Sequence, residues 1–188
     1  MERKDLIIGS VLLMLAGTSW WLAESTGSKK PDDQAGEHTP DYFLEGFTGV
    51  KMDTTGKPEQ KLVAQRMTHY PDDDSTELKQ PRLTLYDEAR PPWRVRSETG
   101  WISSDGEVWL LQGVVNIDRS AAPGIRPTHI VTRDLRVQPR DNYLESDAKV
   151  HMHSENNRLD AKGIRIWYSK PVRIKLLANV RGYYEGKL

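Results

Sequence analysis

His151 and His153 stand two residues apart, a spacing that puts both imidazoles on one face of a strand. With His129 as a third ligand they could hold zinc. Asp72, Asp73 and Asp74 follow Pro71 and offer carboxylates of the kind calcium takes. Consecutive acids cannot all point at one ion, so that run reads better as a solvated turn, and the histidine pair better as a wet sheet face. There is no G-x-S-x-G elbow, no phosphate-cradling glycine loop and no H-E-x-x-H pair. Cysteine is absent, which excludes disulfides, thiolate metal sites and cysteine nucleophiles. Carboxylates are numerous, yet none stands out as an acid/base pair. The expectation is a chain without catalytic residues, cofactor or metal.

Charge excludes another class. Lys and Arg number 27 and Asp and Glu 27, so nothing favours nucleic acid as a partner. The sequence opens instead on one apolar run, Leu6 to Leu22, extended by Ala23. That is close to the roughly 17 residues that suffice to span a bilayer core. Trp20 and Trp21 end it where amphipathic rings favour headgroups, and Arg3 and Lys4 precede it as a cytoplasmic flank would. A signal peptide needs small residues after the apolar run; Trp-Trp-Leu-Ala-Glu-Ser puts bulky rings there, so a retained anchor reads better. Gly9 and Ala16, with Gly17 beside them, would present a small-residue face to another transmembrane helix. Gly27–Pro40 is almost free of apolar residues and reads as a flexible linker. The expected order is a cytoplasmic tail over 1–5, a transmembrane helix over 6–23, a flexible linker over 24–40 and one folded domain over 41–188.

That domain reads as sheet. Leu83 and Leu85 alternate with polar neighbours, as do Trp93 and Val95, Val115 and Ile117, Val150 and Met152, Ile164 and Ile166, and Ile174 and Leu176. Period two gives each strand one apolar and one wet face. Thr55-Gly56, Asp105-Gly106, Pro123-Gly124, Asp141-Asn142 and Asn156-Asn157 supply turns between them. Recurring short strands without helices imply an antiparallel sandwich, barrel or jelly roll. The six apolar pairs above form the candidate interior, which is either a filled core or a groove for lipid; packed sheets lie about 10 Å apart, a fair width for acyl chains.

The ordered series Asp41-Tyr42-Phe43-Leu44-Glu45-Gly46-Phe47, Leu62-Val63-Ala64, Gln80-Pro81-Arg82-Leu83, Pro92-Trp93-Arg94-Val95 and Leu110-Leu111-Gln112-Gly113-Val114-Val115, behind a short anchor and a polar tether, resembles the LptC family. These are bitopic inner-membrane components of the lipopolysaccharide export machine. The resemblance implies a single-pass inner-membrane protein whose periplasmic domain is an open antiparallel β-jelly roll, a V-shaped pair of sheets. Lipopolysaccharide from the transporter formed by LptF, LptG and the LptB ATPase would enter its apolar interior and pass to the soluble bridge protein LptA. It further implies transporter docking through the anchor face Gly9, Ala16 and Gly17 and through Phe43, Leu44, Phe47 and Val50. Bridge-protein docking is implied at the C-terminal edge, through Val172, Ile174, Leu176, Val180, Tyr183 and Tyr184.

That last expectation agrees with the residues themselves. Val172 to Tyr184 reads as a long final strand without proline or capping helix, either an edge open to strand addition or an ordinary last strand capped by charges such as Arg173, Lys175 and Arg181. The alternatives are a membrane-anchored scaffold that binds only protein, with a filled core, and an anchored periplasmic hydrolase using scattered carboxylates.

Overall fold

The computed structural model describes residues 14–22, 38–87, 90–169 and 171–185. The chain divides into two units, residues 1–37 and 38–188. In the first, residues 14–22 are helical, and the Thr18 hydroxyl donates to the carbonyls of Met14 and Leu15, at 3.0 Å in each case. No helix among the described residues is long and apolar enough to cross a membrane. Residues 6–13 of the expected span, Gly9 among them, lie outside the described residues, as do 1–5 and 23–37.

Among its described residues the second unit is built of strands joined by turns, with one short 3-10 turn at Pro139–Asp141. In order the strands are β1 (Tyr42–Met52), β2 (Pro58–Tyr70), β3 (Ser75–Lys79), β4 (Arg82–Asp87), β5 (Arg90–Arg96), β6 (Thr99–Ile102), β7 (Trp109–Arg119), β8 (Thr128–Gln138), β9 (Tyr143–Ser154), β10 (Asn157–Trp167) and β11 (Arg173–Tyr183). Every pairing is antiparallel and joins neighbours in the chain, once β3 with β4 and β5 with β6 are seen as successive lengths of two kinked strands. β2 pairs β4 through Gln60–Val63 and β3 through Arg66–Tyr70. β7 pairs β6 through Trp109–Gln112 and β5 through Asn116–Arg119. The result is one meander with β1 at one edge and β11 at the other.

A line of backbone irregularities runs across this sheet. Gly46, Gln80, Gly113, Asp134, Gly163 and Asn179 all have positive φ, between 50° and 82°. Around most of them the register slips: between Leu111 and Val114, Val131 and Arg136, Lys162 and Ile164, and Asp160 and Lys162. Bulges bend a strand and increase its twist. Aligned across neighbouring strands, they fold the sheet into two layers, so each long strand runs through both. The layer holding the first half of β1 is called the leading layer here, and the other the trailing layer.

Side chains satisfy the backbone at the fold line. The Gly113 amide donates to Asp134 Oδ1 (3.0 Å), the Val114 amide to Glu98 Oε1 (3.2 Å) and the Ala148 amide to Ser146 Oγ (3.1 Å). Glycine is favoured at 113: its φ is +78°, and a Cβ there would sit 2.5 Å from Glu98 Oε2 and make that side chain shift.

The two layers share one core. Leu111, Leu135, Val137, Leu144, Ile164 and Ile166 come from the leading layer, and Leu83, Leu85, Trp93, Val95, Val115, Ile117, Ile130 and Val150 from the trailing layer. Burying each large side chain contributes about 1.5–3 kcal/mol. At the open ends the layers meet again. Tyr168, just after β10, borders a cavity of about 280 Å³ together with Glu59, Gln60, Leu85 and Tyr86.

The all-β expectation holds, with three differences. The expected pair of sheets is one hydrogen-bonded sheet folded on itself, because bulges bend a ladder without ending it. The expected turn at Asn156-Asn157 is formed at Glu155, which takes φ 53°, and Asn157 already pairs Ser154 at the start of β10. The final strand is Arg173–Tyr183, so Val172 and Tyr184 flank it.

Candidate lipid interior and docking edges

The apolar residues of each strand converge on one inner face. Leu83, Leu85, Trp93, Val95, Val115, Ile117, Val150, Ile164 and Ile166 are all buried there, and Met152, Ile174 and Leu176 pack against them while remaining partly exposed. The middle of this face is filled by side chains. Val95, Val115, Ile117, Val150, Ile164 and Ile166 have no exposed surface. Toward both edges the burial fades. Phe47 and Met67 are partly buried near β1, where Leu44 is 44% exposed. Ile174, Leu176 and Val172 are partly buried at β11. The apolar face therefore runs from one edge of the sheet to the other and reaches solvent at both.

Polar groups modify its rim. The Arg119 guanidinium lies 4.4 Å over the Trp93 ring, and burial lowers its pKa, with Arg90 adding to the effect. Burial also raises the Tyr168 phenol, with the Glu59 carboxylate adding to it. That phenol donates to the Pro139 carbonyl at 3.4 Å.

Each edge strand has a partner on one side only: among the described residues β1 pairs β2 and β11 pairs β10. Phe43 and Val50 are exposed on β1, beside Leu44, and Phe43 carries the Arg66 guanidinium 4.0 Å from its ring centroid. At the other edge Leu177, Val180, Tyr183 and Tyr184 are exposed. Gly163 lies opposite Leu177, and a Cβ on it would meet Leu177 Cδ1 at 2.8 Å, so a larger residue would displace the Leu177 side chain. Ala16 and Gly17 are exposed in the helical segment; Gly9 lies outside the described residues.

The histidines singled out for metal lie on the outer face, and two of them have carboxylate partners. His129 Nδ1 is 2.6 Å from Asp118 and His151 Nδ1 2.6 Å from Asp160, while His153 lies opposite His129 in the ladder. Ligating atoms of His38, Asp72 and Asp73 come within 4.8 Å of one another, all exposed, and His38 Nδ1 there meets Asp72 at 2.9 Å.

A cluster with no signal in the sequence sits where β1 begins. His69 lies between two carboxylates, Asp41 at 2.7 Å from Nδ1 and Asp74 at 2.8 Å from Nε2, with the Tyr42 ring stacked on it. His38 stacks on Tyr70 with ring centroids 3.8 Å apart. Partners this far apart in the chain are brought together only by the β1–β2–β3 pairing. The inner-face residues Leu111, Ile130, Leu135, Val137 and Leu144 were also missed as candidates, though the same alternation marks Leu135 and Val137.

A family model described as "Lipopolysaccharide-assembly, LptC-related" matches residues 10–185. No curated protein matches the chain in sequence. Among solved structures the chain is similar to the crystal structure of LptH, the LptA-homologous periplasmic component of the lipopolysaccharide transport device of Pseudomonas aeruginosa. Identity is 10% and the TM-score 0.49, covering 68% of this chain and 95% of that one.

Proposed function

Because this chain belongs to the LptC-related lipopolysaccharide-assembly family, we propose that residues 41–188 are a non-enzymatic periplasmic conduit. Lipopolysaccharide acyl chains lie between the two layers, entering from an inner-membrane transporter of the LptF, LptG and LptB type and leaving toward LptA. The run Leu6–Ala23 anchors the domain in the inner membrane as a single span, and residues 24–40 are its linker. Transporter contacts are Gly9, Ala16 and Gly17 on the anchor and Phe43, Leu44, Phe47 and Val50 on or beside β1. Contacts with the bridge protein are Val172, Ile174, Leu176, Val180, Tyr183 and Tyr184.

One observation carries this reading: the apolar inner face is continuous between two unpaired edges and is partly exposed at both. A sealed sandwich has no need of that. The filled middle means that cargo must part the layers, and each acyl methylene then buried contributes about 0.8 kcal/mol. The same filled middle is what a scaffold binding only protein would have, so that is the second reading.

Photo-reactive residues at Ile117, Met152 and Ile166, with outward His151 and Arg165 as controls, decide between them in cells. The conduit gives lipopolysaccharide adducts at the inner positions alone. Adducts only at the outward positions, or at none, would sink it.

A further inference from the structure

The two edges differ in charge. On β11, Arg173, Lys175 and Arg181 lie opposite Trp167, Arg165 and Asp160, all on the outer face, while Ile174 and Leu176 lie opposite Ile166 and Ile164 on the inner face. Arg173 sits 5.2 Å over the Trp167 ring. Among the described residues Lys175 and Arg181 meet no carboxylate, nor do Arg158 and Lys162 on the adjoining β10. The acids of β9 and β10 are engaged: Arg165 holds Glu145 at 3.0 Å and Asp147 at 2.8 Å, and His151 holds Asp160 at 2.6 Å. β1 carries only Glu45 and Lys51, and Lys51 is paired with Glu59 at 2.8 Å.

Charged side chains on an edge strand, inward-pointing ones included, guard it against indiscriminate pairing. Those on β11 point outward and leave its backbone groups clear beside exposed Leu177, Val180 and Tyr183. An incoming strand would therefore find an apolar inner row to extend and a cationic outer row to neutralise. We propose that β11 is a charge-selective docking edge whose partner is a protein strand alternating apolar with acidic side chains. The partner's apolar residues continue the inner face beyond Ile174 and Leu176, and its acids face Lys175, Arg181 and Arg173. A second copy of β11 is repelled by like charge, so the same edge that accepts its partner resists self-pairing. A strand fits better than a free anion or a lipid headgroup, because only a strand also satisfies the row of unpaired backbone groups. The proposal rests on the reading of β11 as the edge toward the bridge protein.

The test uses the full chain in detergent and two labelled short peptides, one alternating Val with Glu and the other Val with Lys, followed by fluorescence anisotropy. The acidic peptide is expected to bind about tenfold more tightly at low ionic strength. That gap should narrow in about 0.5 M salt. The triple substitution R173E, K175E and R181E should invert the preference, and Leu177→Pro should weaken both peptides by disrupting the edge. If both peptides bind equally and Leu177→Pro still weakens them, the docking edge stands and charge selection is overturned. If Leu177→Pro binds both as well as the parent, or if neither peptide binds, β11 is not the docking edge and both readings fall.

Discussion

The carboxylate of Asp41 lies 2.7 Å from Nδ1 of His69, stitching the residue before β1 to the end of β2. Asp74 holds the opposite nitrogen of the same ring at 2.8 Å. A neutral imidazole carries one N–H, so serving two carboxylates requires the imidazolium. The hydrogen bond that His69 donates to Asp41, then the one it donates to Asp74, raises the His69 pKa, and His69 in turn lowers that of Asp41.

The pH dependence follows from these directions. A raised folded-state pKa on His69 adds stability that is complete below the ordinary histidine value of 6.5 and lost as pH climbs through the raised value. A lowered pKa on Asp41 adds stability present above 3.8 and lost as pH falls through the depressed value. Between those limits the start of β1 is held. Hydrogen exchange of the Tyr42–Glu45 amides, corrected for intrinsic rates, should therefore accelerate from mildly acidic to alkaline pH. In His69→Gln that pH dependence should disappear; a profile identical to the parent would show that the pair does not hold the edge.

The fold line makes Gly113 a point of strain for any other residue. Gly113→Ala should destabilise the domain by about 2 kcal/mol, from the left-handed backbone together with the clash against Glu98. Gly106→Ala, at φ +68° but with open space around its Cβ, should lose only about 1 kcal/mol. Urea denaturation of both variants measures the difference, and equal losses would mean that the Glu98 contact is relieved without penalty.

Removing residues 172–188 strips β11 and leaves β10 as the edge. Binding to the bridge protein should be abolished while assembly with the transporter is partly spared, as read by pull-down from membranes. Full retention of the bridge protein would refute docking through β11.

Replacing Gly9 and Ala16 with Leu should change the transporter's ATPase rate more than its assembly. Reconstituted complexes in nanodiscs report both quantities. Unchanged ATPase at equal assembly would make the small-residue face incidental.

Most strands were legible because alternation is a local property. Val115 and Ile117, or Ile164 and Ile166, declare a shared face within a few residues, and the structure buries each of them fully. Gly46, Gly113 and Gly163 carry a bulge signal within their strands, but the bulges without glycine were not legible. Ile130 and Thr132 face inward, but so do Leu135 and Val137, and the change of parity occurs at Asp134 without any glycine to announce it. Gln80 does the same between Leu78 and Leu83. The His69 cluster was hidden for another reason: Asp41 and Asp74 become neighbours only through the strand pairing around it.

By itself the sequence determined an apolar N-terminal run, a polar stretch after it and a β-rich domain with one apolar face per strand. Those properties depend on composition and on short-range periodicity, which any window of a few residues carries. Tertiary structure alone decided that one sheet bends along an aligned row of bulges into two layers. It also decided that, among the described residues, β1 and β11 each pair a neighbour on one side only. Each depends on which distant residues become neighbours, and strand register across the whole sheet, rather than residue type, sets that.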